Sequence, residues 1–181
     1  MGKSKSQKIA LCGVLAALSV VMLLVGSALQ IGTYAAPMLA AFLLVPVQEE
    51  YGPRYALLQY TTVSLLALML VPETELTLFY LLVVGYYPVV RRALQAVRPA
   101  LLRWLLKFCL FNVATALVYL VLAALFGPAI WQELTADGTA VLAALLALGN
   151  LSFFLCDRAL GAVTLYYRRI LRRKMRHFFG R

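Results

Sequence analysis

In the stretch VQEEYGPRY, residues 47–55, two adjacent carboxylates, Glu49 and Glu50, stand with three residues between them and Arg54. Paired carboxylates beside a cation are the equipment of general-base chemistry, in which one of them would activate a water. The chain offers such a base few helpers. Its one histidine, His177, lies four residues from the end, and its three cysteines, Cys12, Cys109 and Cys156, each lie within an apolar segment where packing is the expected role. There is no Walker-type loop, no Cys/His cluster and no nucleophile with a base nearby. If the protein takes part in ATP-driven work, another chain hydrolyses the ATP.

The Glu-Glu-x-x-x-Arg pattern resembles the first motif of the CAAX-protease-like membrane proteases, in which a glutamate activates water and later helices supply histidines. With His177 alone, no second or third motif can be assembled. The competing expectation is a charged turn, because Gly52-Pro53 breaks the chain at this point and ionised carboxylates are costly in hydrocarbon. No enzymatic activity, cofactor or metal is therefore expected.

The elements that must position any site are apolar helices. Of 181 residues, 64% are hydrophobic and 13% charged, far from the composition of an ordinary soluble domain. A helix needs roughly 20 apolar residues to cross a bilayer. Six segments approach this: 9–25, 34–47, 55–71, 76–90, 108–126 and 139–156, the second and fourth needing neighbouring residues to extend them or flanking arginines to snorkel. Gly26, Gly32, Gly52-Pro53, Pro72 and Gly127-Pro128 punctuate the chain between them. The fold class expected is all-α, a polytopic membrane protein forming a single bundle of six transmembrane helices, with a basic cytoplasmic tail over 157–181. MGKSKSQK resembles the basic start of a signal peptide, but the apolar run behind it is too long and meets no cleavage pattern, so a retained first helix is expected.

Charge gives the sidedness. With the N-terminus inside, Lys3, Lys5 and Lys8, then Arg54, then Arg91, Arg92, Arg98, Arg103 and Lys107, then eight residues from Arg158 to Arg181 place all 17 cations in the cytoplasm. The opposite loops carry Glu73, Glu75, Glu133 and Asp137 instead. Both termini are thus expected inside, in a multi-pass protein of the plasma membrane, and the excess of cations reflects topology rather than nucleic-acid binding. The segment RRALQAVRPALLRWLLK is basic and partly amphipathic, suited to a topology-fixing loop or to the inner leaflet.

Polar residues inside the spans fall into two groups. Gln59, Thr61, Thr62 and Ser64 can return hydrogen bonds to their own helix. Asn112 and Thr115, with Asn150 and Ser152, lie deeper; the two asparagines are expected to bond each other or backbone, and they are also candidates for a pocket floor. On the outer side Ser27, Gln30, Thr33, Tyr34, Thr77, Tyr80, Tyr119, Trp131 and Glu133 converge. Taken singly the aromatics suit an interfacial belt; together they could wall a small-molecule site. In the first span, ALCGVLAALSVV, Gly13 and Ala17 share a helix face, and Ala10 and Ala16 widen a smooth surface for close helix approach.

Taken whole, the chain resembles the substrate-binding S-component of an energy-coupling factor (ECF) transporter: about 180 residues, six spans, both ends inside, a basic start leading into KIALCGVLAALSVV, and no ATPase motif. The first helix is similar to the family's Ala-x-x-x-Ala feature, with Gly13 in place of the usual alanine and Ala17 matching. The resemblance implies a subunit that captures a vitamin-like molecule from outside and delivers it with a separate transmembrane coupling subunit and two cytoplasmic ATPases. It implies that Gly13 and Ala17 contact the coupling subunit, with Ala10 and Ala16 flanking them. Gln30, Thr33, Tyr34, Tyr80, Tyr119 and Asn150 are the implied substrate-binding residues. Metal cargo is disfavoured because the outer side lacks His and Cys, and its acids suit a neutral or cationic cargo. A non-transporting membrane scaffold, or an accessory subunit of another complex, is the alternative.

Overall fold

The computed structural model describes residues 5–29, 33–127 and 138–171. Among them every regular element is helical: α1 Lys5–Leu29, α2 Ala35–Phe42, α3 Leu44–Tyr51, α4 Pro53–Leu70, α5 Thr74–Phe79, α6 Tyr87–Leu94, α7 Ala100–Phe126 and α8 Thr139–Tyr166. Three stretches, Lys8–Leu29, Ala100–Phe126 and Thr139–Leu171, are long and apolar enough to cross a membrane.

Prolines explain why the other helices come in pieces. Pro46 has no N–H and its ring crowds the carbonyl four residues earlier, that of Phe42. The helix breaks there, and Leu43 N–H turns back to Ala40 O at 3.2 Å, separating α2 from α3. Pro88 does the same to Val84. Between α5 and α6 the chain widens into a π-turn, Tyr80–Val84, closed by Gly85 N–H to Tyr80 O at 2.7 Å. That bond leaves Leu81 O without its usual partner, and the Tyr60 hydroxyl on α4 donates to it at 2.7 Å. Gly85 permits the approach, since a Cβ there would meet the Tyr60 ring at 2.8 Å.

The centre is built by α1, α2, α4 and α5. Gly26 on α1 abuts Ala36 on α2 so closely that a Cβ would collide with the Ala36 methyl. Leu23, Ala40, Val63, Ala67, Leu76 and Tyr80 are completely buried between these helices. Buried Ser19 satisfies its hydroxyl on Leu15 O at 2.9 Å and Ala40 O at 3.4 Å. Phe111 on α7 and Phe153 on α8 stack with centroids 4.6 Å apart, carrying the core to the last two helices.

Two long helices run further than their apolar stretches alone suggest. α7 begins at Ala100, because Pro99 ends what precedes it and disfavours helix at Arg98, so Arg103, Trp104 and Lys107 belong to the long helix rather than to a separate surface segment. α8 continues past Cys156 through Tyr166 and a π-turn at Tyr167–Leu171, because the polar residues beyond Cys156 find partners on α6, α7 and α3.

Candidate functional site

Thr33 and Tyr34 form the turn that enters α2, and the acidic turn into α5 comes up beside them. Thr33 Oγ1 donates to Glu73 at 2.8 Å, and Tyr34 Oη donates to Glu75 at 2.7 Å. The Tyr34 ring meets Phe79 edge-on, with centroids 5.1 Å apart. Below this polar rim a cavity of about 240 Å³ opens between α7 and α8, with Tyr34, Phe79, Phe111 and Tyr119 as aromatic walls and Leu142, Leu145 and Leu146 as the facing apolar wall.

The polar groups of this cavity sit on facing helices. Asn112 and Asn150 bond each other in both directions, at 2.8 and 3.2 Å, and each also donates to the carbonyl four residues back on its own helix, at 2.8 Å. Thr115, one turn along α7, has a buried hydroxyl with no hydrogen-bond partner among the described residues. Gly149 passes Phe111 at ordinary van der Waals distance and keeps α8 smooth at that point. An apolar, aromatic cleft with a few fixed amides and one free hydroxyl is suited to holding a small organic molecule. Among the described residues no group of three His, Cys, Asp or Glu side chains could hold a metal ion.

Of the residues implied for substrate binding, Tyr34, Tyr119 and Asn150 line this cavity, whereas Thr33, next to Tyr34 in the chain, is bonded to Glu73 and does not line it. Tyr80 does not: its side chain is 0% exposed, packed in the core against Tyr60. Gln30, like Trp131, Glu133, Asp137 and His177, lies outside the described residues. On α1, Ala10, Gly13 and Ala17 form an exposed stripe, and a Cβ at Gly13 would meet nothing within 4 Å. Ala16 points the other way, into the core.

The opposite end of the bundle gathers the charges. Arg168 grips Glu49, Tyr167 Oη donates to Glu50 at 3.3 Å, and Lys8 lies 6.0 Å from the ring centres of both Tyr51 and Tyr55. Nearby is a constellation that spacing along the chain does not announce. Asp157 on α8, 2% exposed, accepts on Oδ1 from Tyr87 at 2.6 Å, Arg91 at 2.7 Å and Lys107 at 2.8 Å, and on Oδ2 from Lys107 at 2.8 Å. Three helices thus meet on one carboxylate. Gly161, one turn on, makes room for the Arg91 guanidinium, since a Cβ there would meet its Nη2 at 2.8 Å. The available signals were a lone acid in the last apolar helix and the four-residue spacing of Tyr87 and Arg91, which puts both on one face.

In comparisons with known proteins, no protein-family model, no curated protein and no solved structure matches the chain.

Proposed function

We propose that the chain is the membrane-embedded substrate-capture subunit of an ECF-type importer: six spans in the plasma membrane, both termini cytoplasmic, taking a small vitamin-like molecule from the outer side. The observation that carries the reading is the cavity between α7 and α8, which runs from Phe111, one turn along α7 from Lys107, to Tyr119 and Tyr34. Segregating the cations at one end supports placing that end in the cytoplasm and the cavity outside. α2 with α3, α4, and α5 with α6 are then the three further spans, each bent or shortened as its prolines dictate.

Tyr34, Tyr119 and Phe79 would sandwich the cargo, Asn112 and Asn150, whose amide hydrogens are spent on each other and on their own helices, would accept from it on Oδ1, and Thr115 would meet its remaining acceptor or donor. Glu73 and Glu75 at the rim favour a neutral or cationic molecule. The exposed stripe Ala10, Gly13 and Ala17 gives a flat face on which a coupling subunit could pack backbone to backbone. Its ATPases would supply the energy, since the sequence carries no Walker-type loop. Ala16, turned inward, supports the helix instead of the contact.

The test is purification of the full-length tagged protein from its native membranes. Co-recovery of a transmembrane coupling subunit, a pair of ATPases and a small molecule is the expected result. Their repeated absence, with the chain recovered intact, overturns the reading and favours a non-transporting scaffold.

A further inference from the structure

At the charged end of α7 and α8, outside the proposed cargo site, lies an open cavity of about 350 Å³. Arg91, Arg103, Lys107 and Arg158 line it together with a single carboxylate, Asp157. Four cations thus face one anion, and that anion is already saturated: its two oxygens receive Tyr87, Arg91 and Lys107. Among the described residues neither Arg103 nor Arg158 forms an ion pair.

Trp104 lies against two of these cations, Lys107 and Arg158. Lys107 Nζ lies 4.7 Å and the Arg158 guanidinium carbon 5.7 Å from its ring centre, while Phe154 flanks Arg158 at 5.2 Å. Arg103 and Lys107 are four residues apart on one helix face, a like-charge pair that repels unless an anion lies between or beside them. Lys107, 3% exposed, is already paired with Asp157, which leaves Arg103 and Arg158 as the cations of this cavity that have no carboxylate among the described residues. The cavity is many times the roughly 30 Å³ that a water takes up in the liquid, which leaves room for a polyatomic anion.

We infer that this cavity binds a phosphate group through Arg103, Lys107 and Arg158, with Asp157 and Arg91 as its rigid floor. The phosphate comes from an anionic lipid headgroup or from free phosphate. Planar guanidinium forks suit phosphate oxygens, and charged hydrogen bonds of this kind are the strong ones. The inference is independent of the identity of any cargo at the other end.

The experiment uses the full chain in phosphatidylcholine nanodiscs and reads the melting midpoint and, by native mass spectrometry, the phospholipids retained. In one arm phosphatidylglycerol replaces part of the lipid; in the other, inorganic phosphate is added to discs of phosphatidylcholine alone. A raised midpoint with retained phosphatidylglycerol identifies the lipid source, whereas an equal rise with inorganic phosphate alone identifies the free anion; either supports the site. No rise in either arm overturns it. Arg103→Gln with Arg158→Gln should raise the anion level needed for half the effect about tenfold or more, and Arg92→Gln with Arg98→Gln, an equal loss of charge outside the cavity, less than about twofold. Equal losses in the two pairs would mean diffuse surface attraction and no site. If the first pair fails to fold, Arg103→Gln alone, whose side chain supports no described ion pair, carries the same comparison.

Discussion

Arg168 holds Glu49 through two parallel hydrogen bonds, Nε to Oε2 at 2.7 Å and Nη2 to Oε1 at 2.8 Å, across 119 residues of chain. Both oxygens of the carboxylate that looked most capable of chemistry are thereby occupied by a cation on the last helix. Glu49→Gln with Glu50→Gln is expected to leave cargo binding and uptake unchanged. The Arg168 side chain is 47% exposed but that of Glu49 only 8%, and the pairing is bidentate, so the change should cost about 1–3 kcal/mol in thermal unfolding. Loss of function in a fully folded double variant would restore the protease reading.

Asp157 predicts the opposite outcome. It and Lys107 are buried, so Asp157→Ala strands a buried ammonium and removes the partner of Tyr87 and Arg91. Breaking a buried pair from one side costs about 3–5 kcal/mol, whereas replacing both partners by apolar residues is far milder. Detergent melts should show a large fall for Asp157→Ala and only partial recovery in Asp157→Leu with Lys107→Met, because Arg91, 11% exposed, still loses its carboxylate. A single variant as stable as the parent would mean that the cluster does not hold α6, α7 and α8 together.

Neighbouring alanines on α1 separate packing from partner contact. Ala16→Leu overfills the core and should cost about 1–3 kcal/mol. Gly13→Leu or Ala17→Leu enlarges an exposed face and should leave stability nearly unchanged while abolishing recovery of a coupling subunit, with cargo still bound. Equal loss of cargo binding in the Gly13 and Ala17 variants would mean that those residues serve the bundle alone.

Gly26 and Gly85 are the two glycines whose missing Cβ the fold uses most directly. Gly26→Ala drives a methyl into Ala36, and Gly85→Ala drives one toward Tyr80 O and the Tyr60 ring. Each should lower stability by about 1–3 kcal/mol, while Gly13→Ala, facing open space, changes it little. Comparison of the three melting midpoints checks this.

These outcomes trace how much of the molecule could be read from its sequence. Apolar length and helix-breaking residues were enough for the all-helical architecture and the three long stretches. The pairing of Asn112 with Asn150 follows from two amides on consecutive helices seeking local partners. The π-turn did not follow: one extra residue rotates what comes after it by about 100° on a 3.6-residue helix, and no hydropathy pattern shows where that slip falls. Tyr80 stands at its start, and it is a core residue rather than a rim residue for reasons that only the packing of Tyr60 and Gly85 makes visible. Asp157 escaped because attention to sidedness weighs cations in the loops, while this acid works inside a helix against two basic residues from other helices. Ala16 and Ala17 are adjacent in sequence, and only the packing direction of α1 decides which of them faces outward.

The cavity between α7 and α8 is the centre of the functional account, and native mass spectrometry of the freshly purified full-length protein, with release and identification of bound small molecules, tests it most directly. The account predicts a single neutral or cationic species bound one per chain. Asn150→Leu and Tyr119→Ala should lose it, and the Glu49→Gln with Glu50→Gln variant should retain it. Folded protein that carries no small molecule from native membranes, or one that survives both cavity substitutions undiminished, would contradict it.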